Sequence, residues 1–168
     1  MRILRFSCFD MNKTHVIEHL RFALESQLHR AKEAAKAAHD AATHEESVAE
    51  TQYDTLGLEA AYLAQGQAER VNECYRDIQA FNTVFKETEF PKVREGALVS
   101  LIDDQDQQKW FFIGPSSGGL SVTVKEHTIY VVTREAPLGK KLLGKKVDDE
   151  VELVIGDKKQ FYTIDKLI

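Results

Sequence analysis

Acidic side chains are concentrated in one stretch of this 168-residue chain, Asp40 to Glu59, which reads DAATHEESVAETQYDTLGLE. The stretch holds six acids and no base, and no Lys or Arg occurs between Lys36 and Arg70. Clustered carboxylates can bind a divalent cation, although most runs of like charge are solvated surface. We therefore expect a metal ion or a protein partner here, with a solvated acidic turn as the alternative.

Other chemical motifs in the chain are weak. His15 and His19 have the spacing of a helical zinc pair, but no third ligand stands in a recognised motif. His39 and His44 lie near the acids at a spacing that is not diagnostic, so a surface role is favoured for all four histidines. No Ser/His/Asp elbow, phosphate-binding glycine loop or CxxC pair is present. An enzyme with its own active site is therefore not expected.

Apolar residues recur every three or four positions on both sides of the acidic stretch. The first series is Ile17, Leu20, Leu24, Leu28, Ala31, Ala35, Ala38 and Ala42, and the second is Ala60, Ala64, Gln67, Val71, Cys74, Ile78, Phe81 and Phe85. This spacing predicts an antiparallel α-helical coiled-coil hairpin with its turn near residue 51. We expect Thr14 to cap the first helix and Phe90-Pro91 to end the second. Because the seam changes from Leu to Ala, the distal hairpin should be slim.

The pattern changes after Pro91 from helical periodicity to alternation. Short runs broken by Gly, Asp and Ser predict strands at 97–103, 110–114, 120–124, 128–133, 149–155 and 160–167. The stretch 137–144, PLGKKLLG, predicts one short helix across an antiparallel sheet. We therefore predict an α+β fold with three parts: a disordered extension at 1–10, the hairpin at 11–90 and the sheet domain at 91–168. Phe81, Phe85 and Phe90 should dock the two ordered parts, and 97–168 should fold alone.

Composition limits the classes of partner and compartment. Residues 1–90 carry 10 basic and 15 acidic side chains, so the whole net charge of −5 lies in this part. That balance argues against broad binding to duplex DNA, which needs cations to displace counterions from the phosphates, and no sequence-specific DNA binding is expected. No apolar run approaches the roughly 20 residues that span a bilayer, so no membrane partner and a cytoplasmic location are expected. Cys8 and Cys74 are expected to be free thiols.

The C-terminal sequence TIYVVTREAPLGKKLLGKKVDDEVELVIGDKKQFYTIDKL resembles the bacterial Gre transcript-cleavage factor family. The motif APLGKKLLGKKVDDEVEL resembles the signature of that family's FKBP-like C-terminal domain, and the hairpin resembles its coiled-coil domain. The resemblance covers about residues 11–168. It implies a transcription elongation factor that binds RNA polymerase, and not an enzyme in its own right, since it would stimulate the intrinsic nuclease of the polymerase.

In the Gre family, an acidic pair at the coiled-coil tip enters the polymerase secondary channel and helps to hold the second magnesium ion. The family pattern is an Asp, a Glu three residues later and a Tyr four residues beyond that Glu. Glu46, Glu50 and Tyr53 are the nearest match here, with Glu in place of Asp and the two acids four apart. The resemblance thus implies a Mg²⁺ site at Glu46 and Glu50, with support from Glu45 and Asp54.

The predicted ion is shared with the polymerase, and no stable binding to the free protein is expected. The same insertion would bring the tip near the 3′ end of the nascent RNA. Two alternatives remain open: a Gre-like regulator that occupies the channel without promoting cleavage, and an interaction protein similar to the nucleoside diphosphate kinase regulators, which have a shorter hairpin.

Overall fold

Two long helices form the hairpin that the sequence periodicity predicts. The computed structural model describes residues 11–43, 56–86, 88–155 and 158–168, so the predicted extension at 1–10 lies outside the described residues. Helix α1 spans Lys13–Thr43 with 31 residues, and helix α2 spans Leu56–Val84 with 29 residues. At about 1.5 Å per residue, each arm is about 45 Å long.

The seam of the hairpin follows the predicted register. All the predicted seam residues within the described helices, and Phe85 beyond α2, are buried or half-buried. Arg21 Nη1 donates a hydrogen bond to Asn82 Oδ1 at 2.9 Å, which places these residues opposite each other as a turn near residue 51 requires. The seam holds large residues such as Leu20 and Leu24 near the base and only alanine at its buried distal positions, Ala31 and Ala38.

Both predicted helix ends need correction. The N-cap of α1 is Asn12 and not Thr14, because Asn12 Oδ1 accepts a hydrogen bond from the Thr14 backbone N–H at 2.8 Å. Helix α2 ends at Val84, well before Pro91. The Phe85 N–H makes the last helical bond, to the Phe81 carbonyl at 2.9 Å, and the Lys86 N–H bonds the Val84 carbonyl at 2.8 Å instead.

Six strands form one sheet with the order β3-β4-β2-β1-β6-β5. Their bounds are β1 Leu98–Asp103, β2 Gln108–Gly114, β3 Ser121–Val124, β4 His127–Thr133, β5 Glu150–Ile155 and β6 Lys158–Leu167. All neighbours are antiparallel except β2 and β4, which are parallel. The chain runs from β2 to the sheet edge as β3 and returns as β4. The sheet is therefore mixed, where the sequence predicted an antiparallel one.

The two faces of the sheet belong to two hydrophobic clusters. On one face, Phe112, Ile129 and Val131 pack with the hairpin base, including Leu20 and Phe81. On the other face, the buried core includes Leu142 from the short helix α3, Pro137–Leu142. The predicted α+β class, with a helical hairpin followed by a sheet and one short helix, is confirmed.

The segment between α2 and β1 is bonded to the loop that follows α3 and, through the Gly96 N–H and the Ile113 carbonyl, to β2. Val93 N–H donates to the Lys145 carbonyl at 2.8 Å, and the Gly144 N–H donates back to Val93 at 2.9 Å. Gly96 has φ +87°, and a Cβ there would lie 2.5 Å from the Val84 carbonyl oxygen at the end of α2. Glycine is required at this close approach, which sets the direction in which the hairpin leaves the sheet.

Candidate functional site

The hairpin presents the acidic stretch between its two arms. Helix α1 ends at Thr43 and α2 begins at Leu56, so the chain between them contains the predicted ligands. Glu45, Glu46, Glu50 and Asp54 all lie outside the described residues, and their assignment as a Mg²⁺ site stays a prediction. Of the acids in the stretch that are described, Asp40 and Glu59 are both exposed.

The narrow seam determines the thickness of the rod that carries these acids. Ala31 and Ala38 are buried in the distal part of α1, while Ala60 and Ala64 are half-buried on the facing arm. Small side chains at the contact allow two helix axes to approach closely, because interaxial distance depends on the side chains in the seam. The described geometry therefore supports the predicted slim distal hairpin.

Aromatic rings anchor the rod at its base, as the sequence predicts. Phe81 is fully buried and stacks on Phe112 with ring centroids 6.2 Å apart. Phe85 lies 5.3 Å from Phe81, which completes a three-ring cluster between α2 and β2. Phe90 packs against the cluster on the opposite face of the sheet. The hairpin therefore packs on one face of the sheet, and the segment that follows α2 packs on the other.

Lys13 is a buried base that the sequence reasoning did not identify. Its side chain is only 4% exposed, and its Nζ donates to the Thr88 carbonyl at 3.0 Å and lies 4.4 Å from the centre of the Phe90 ring. Burial lowers the pKa of Lys13 to about 8, and the nearby Glu89 carboxylate opposes this shift. The available signal was spacing, since Lys13 lies four residues before Ile17 and extends the seam.

The other cations of the hairpin base mostly have partners within the hairpin. The Arg21 guanidinium lies 5.3 Å from the Phe85 ring, and the Lys32 Nζ lies 4.9 Å from the Tyr75 ring. On α2, Arg70 bonds Glu73 at 2.9 Å and Arg76 bonds Glu69 at 2.8 Å. Four basic residues of the hairpin thus have aromatic or acidic partners within it.

A cleft of about 730 Å³ lies where α2 meets the β2–β3 loop, about 20–30 Å along α2 from Leu56. It is lined by both charges, and Ser117 Oγ donates to Asp77 Oδ2 at 2.7 Å across it. The charged residues on its wall already have hydrogen-bond or ion-pair partners, so the cleft offers no set of convergent groups for a reaction. The hydrogen bond between Ser117 and Asp77 holds the loop against α2.

The histidines and the cysteine in the described part of the chain do not form a metal site. His15 and His19 are exposed, and within the described residues no group of three or more His, Cys, Asp or Glu side chains is arranged to bind a metal. Cys74 is a free, buried thiol in the seam, as predicted, while Cys8 lies outside the described residues. None of the helices in the described ranges has an apolar stretch suited to crossing a bilayer.

Comparison with known proteins gives one informative sequence match. No protein-family model matches the chain. A curated relative, the transcription elongation factor GreA of Novosphingobium aromaticivorans, is 31% identical over 77 residues, which are 45% of this chain and 44% of that protein. The chain thus matches less than half the length of this relative.

Solved structures of the transcription factor Gfh1 are also similar to this chain. One covers 88% of this chain and 92% of its own length at 16% identity, with a TM-score of 0.38. The match to Gfh1 of Thermus thermophilus, described as GreA factor homolog 1, covers 88% of this chain and 94% of that protein. The identity is 19% and the TM-score is 0.37. The 77-residue sequence match confirms the resemblance of this chain to transcription factors of the Gre family.

Proposed function

We propose that this chain is a transcription factor of the Gre type, which binds RNA polymerase, inserts the acidic end of its hairpin into the secondary channel and stimulates cleavage of backtracked transcripts. The observation that carries the proposal is the rod itself. Two arms of about 45 Å have alanine at the buried distal positions of α1, and they lead into the acidic segment. A slim rod with a concentrated negative end suits entry into a pore that leads to bound cations. The sequence match to a transcription elongation factor supports this choice.

Glu46 and Glu50 are the residues that would hold the magnesium ion. Their carboxylates are the oxygen donors that Mg²⁺ prefers, and four-residue spacing on a helix would place them on one face. The ion, when bound, supplies charge stabilisation to the leaving oxygen and a template for water. Glu45 and Asp54 would make outer-sphere contacts. Free protein should bind Mg²⁺ weakly, because two carboxylates leave most of the coordination shell to the polymerase and to water.

A second candidate is a regulator that occupies the channel without promoting cleavage. The sequence at the tip favours it, because Glu46 replaces the Asp of the family pattern and stands four residues from Glu50 instead of three. This change would alter the distance between the two carboxylates. A protein similar to the nucleoside diphosphate kinase regulators is less compatible with arms of 31 and 29 residues, because that family has a shorter hairpin.

The deciding experiment is a transcript-cleavage assay on stalled elongation complexes with purified protein. Glu46→Gln and Glu50→Gln preserve side-chain shape and remove charge, so we expect each to lower the cleavage rate by about tenfold or more, or about 1.4 kcal/mol in activation free energy. Glu59→Gln is the matched control on the returning arm and should change little. Binding to polymerase should survive both substitutions, because the sheet domain carries the strongest resemblance to the family.

Three outcomes would change the assignment. Wild-type protein that binds polymerase but never stimulates cleavage identifies the non-cleaving regulator. Loss of cleavage in Glu59→Gln with normal cleavage in Glu46→Gln and Glu50→Gln means that the tip has been misplaced. Failure of the wild-type protein to bind polymerase at all rejects both candidates.

A further inference from the structure

The distal part of α2 carries its large apolar side chains on the outside. Leu58, Tyr62 and Leu63 are 55%, 65% and 58% exposed. The seam positions at the same level are Ala60 and Ala64, which are both half-buried. A helix that packs along one partner normally buries its large apolar residues and turns polar ones to solvent. Packing of the hairpin therefore does not account for these three exposed side chains.

The same part of α2 is almost free of charge. Between Leu56 and Ala68 the only charged residue is Glu59, whereas the facing part of α1 carries Lys36 and Asp40. The buried centres of protein interfaces are depleted in charge and enriched in Tyr. Leu58, Tyr62 and Leu63, which we call the distal strip, thus have the composition of an interface centre on one side of the rod.

The size and position of the distal strip restrict its partner. Its side chains together expose on the order of 300 Å². A stable pair of identical subunits needs about 800 Å² on each partner, so the strip is too small to hold a second copy by itself. The strip adjoins the acidic segment directly, since Leu58 follows Asp54 by four residues. A protein that encloses the acids would therefore lie next to this side of α2 and could supply the missing contact area.

We propose that the distal strip docks on an apolar wall of the protein that encloses the acidic segment. The inference rests on the proposed function, under which this protein is RNA polymerase and the wall is that of its secondary channel. Because the strip occupies only the outer side of α2, its docking would fix the rotation of the rod about its long axis. The rotation in turn decides which side of the tip faces the reacting RNA.

The test compares the triple variant Leu58→Gln, Tyr62→Gln, Leu63→Gln with the control Phe22→Gln. Glutamine removes apolar surface, adds no charge and keeps high helix propensity. Phe22 is 73% exposed on α1, so its replacement removes a comparable apolar side chain outside the strip. We expect the dissociation constant for stalled elongation complexes to rise about tenfold in the triple variant, or about 1.4 kcal/mol, and to stay unchanged in the control. Thermal melting by circular dichroism should be similar in all three proteins.

Cross-linking provides an independent measurement. A benzophenone amino acid placed at Tyr62 should cross-link to polymerase subunits in the complex, and one placed at Phe22 should not. If the wild type and the triple variant bind polymerase with equal affinity and Tyr62 gives no cross-link, the docking role of the distal strip is wrong. The proposed function would then be unaffected. Lack of polymerase binding by the wild type rejects the proposed function instead.

Two further results have defined meanings. A wild-type dimer in sedimentation that the triple variant loses would show that the strip binds a second copy, which overturns the proposal. If the triple variant melts at a lower temperature than the control, the single variant Tyr62→Gln replaces it in the binding assay, where a threefold or greater loss of affinity supports the strip and no loss overturns it.

Discussion

At the scale of single residues, Lys13 shows how position overrides chemical type. It continues the apolar seam of α1, so the fold buries it although lysine is almost never fully buried without a partner. Its amine has the Thr88 carbonyl and the Phe90 ring as partners, and the pKa falls from 10.5 to about 8 because burial disfavours the charged form. The hairpin base therefore holds a charge at a cost in stability.

The depressed pKa of Lys13 predicts an unusual dependence of stability on pH. Between pH 8 and 10.5 the unfolded chain keeps the proton that the folded protein has lost, so the free energy of unfolding should rise with pH across this window. The Lys13 contribution is complete above pH 10.5 and is lost as the pH falls to about 8. Within this window, the free energy of unfolding should rise by up to about 1.4 kcal/mol per pH unit.

Chemical denaturation of wild type and Lys13→Met at pH 7, 8, 9 and 10 measures this effect. Methionine keeps most of the buried volume without the charge, so the variant should be at least as stable as wild type at pH 7 and should lose the rise above pH 8. Lys36→Met, at an exposed position of the same helix, should keep the wild-type profile. A variant at Lys13 that unfolds more easily at pH 7 would show that the contacts with Thr88 and Phe90 outweigh the cost of burial.

At the scale of secondary-structure elements, two glycines have opposite roles. Gly96 lies in the segment that joins the hairpin to the sheet, with a positive φ and with the last carbonyl of α2 against its Cα. Gly66 lies in the interior of α2, and a Cβ there would meet no atom within 4 Å. The first glycine is required by geometry, whereas the second only weakens the helix.

Alanine at these two positions should shift stability in opposite directions. We expect Gly96→Ala to lower the free energy of unfolding by about 2 kcal/mol or more, because it combines an unfavourable φ with a backbone clash. Gly66→Ala should raise it by about 0.5–1 kcal/mol through helix propensity. Urea denaturation of both variants beside the wild type measures the two effects. A Gly96→Ala protein of unchanged stability would mean that the junction relaxes without loss of contacts.

At the scale of the whole molecule, the hairpin and the sheet share one hydrophobic core. Phe112, Ile129 and Val131 on the sheet pack with Leu20 and Phe81 of the hairpin base. The sequence reasoning expected residues 97–168 to fold alone, because six strands and a helix were thought to have their own core. The shared cluster changes this expectation, since removal of the hairpin would expose an entire apolar face of the sheet.

A fragment of residues 92–168 should therefore be much less stable than the full chain. We expect it to bind the dye ANS and to lose a sharp thermal transition, because a sheet with one face uncovered keeps only the cluster beneath α3. Calorimetry and dye fluorescence on the fragment and the full chain provide the measurement. A fragment with a cooperative transition and no dye binding would show that the sheet domain folds alone, as the sequence predicts.

Local periodicity was sufficient to determine much of this protein. The seam residues and the six strands to within two residues at each end follow from patterns of period 3.6 and 2, because these patterns reflect which face of each element is buried. The short helix at Pro137 follows from the Pro near its start and the Gly at its end. The family resemblance pointed to Glu46 and Glu50, and this assignment stays a prediction because both residues lie outside the described part of the chain.

Contacts between residues distant in the sequence decided the rest. The parallel pairing of β2 with β4, the early end of α2 at Val84 and the burial of Lys13 all depend on what lies opposite in space. Period-2 alternation is the same in parallel and antiparallel strands, so it cannot determine which strands are neighbours. Likewise, the hairpin pattern shows which helix faces are apolar, but only the packed structure shows that its base completes the core of the sheet.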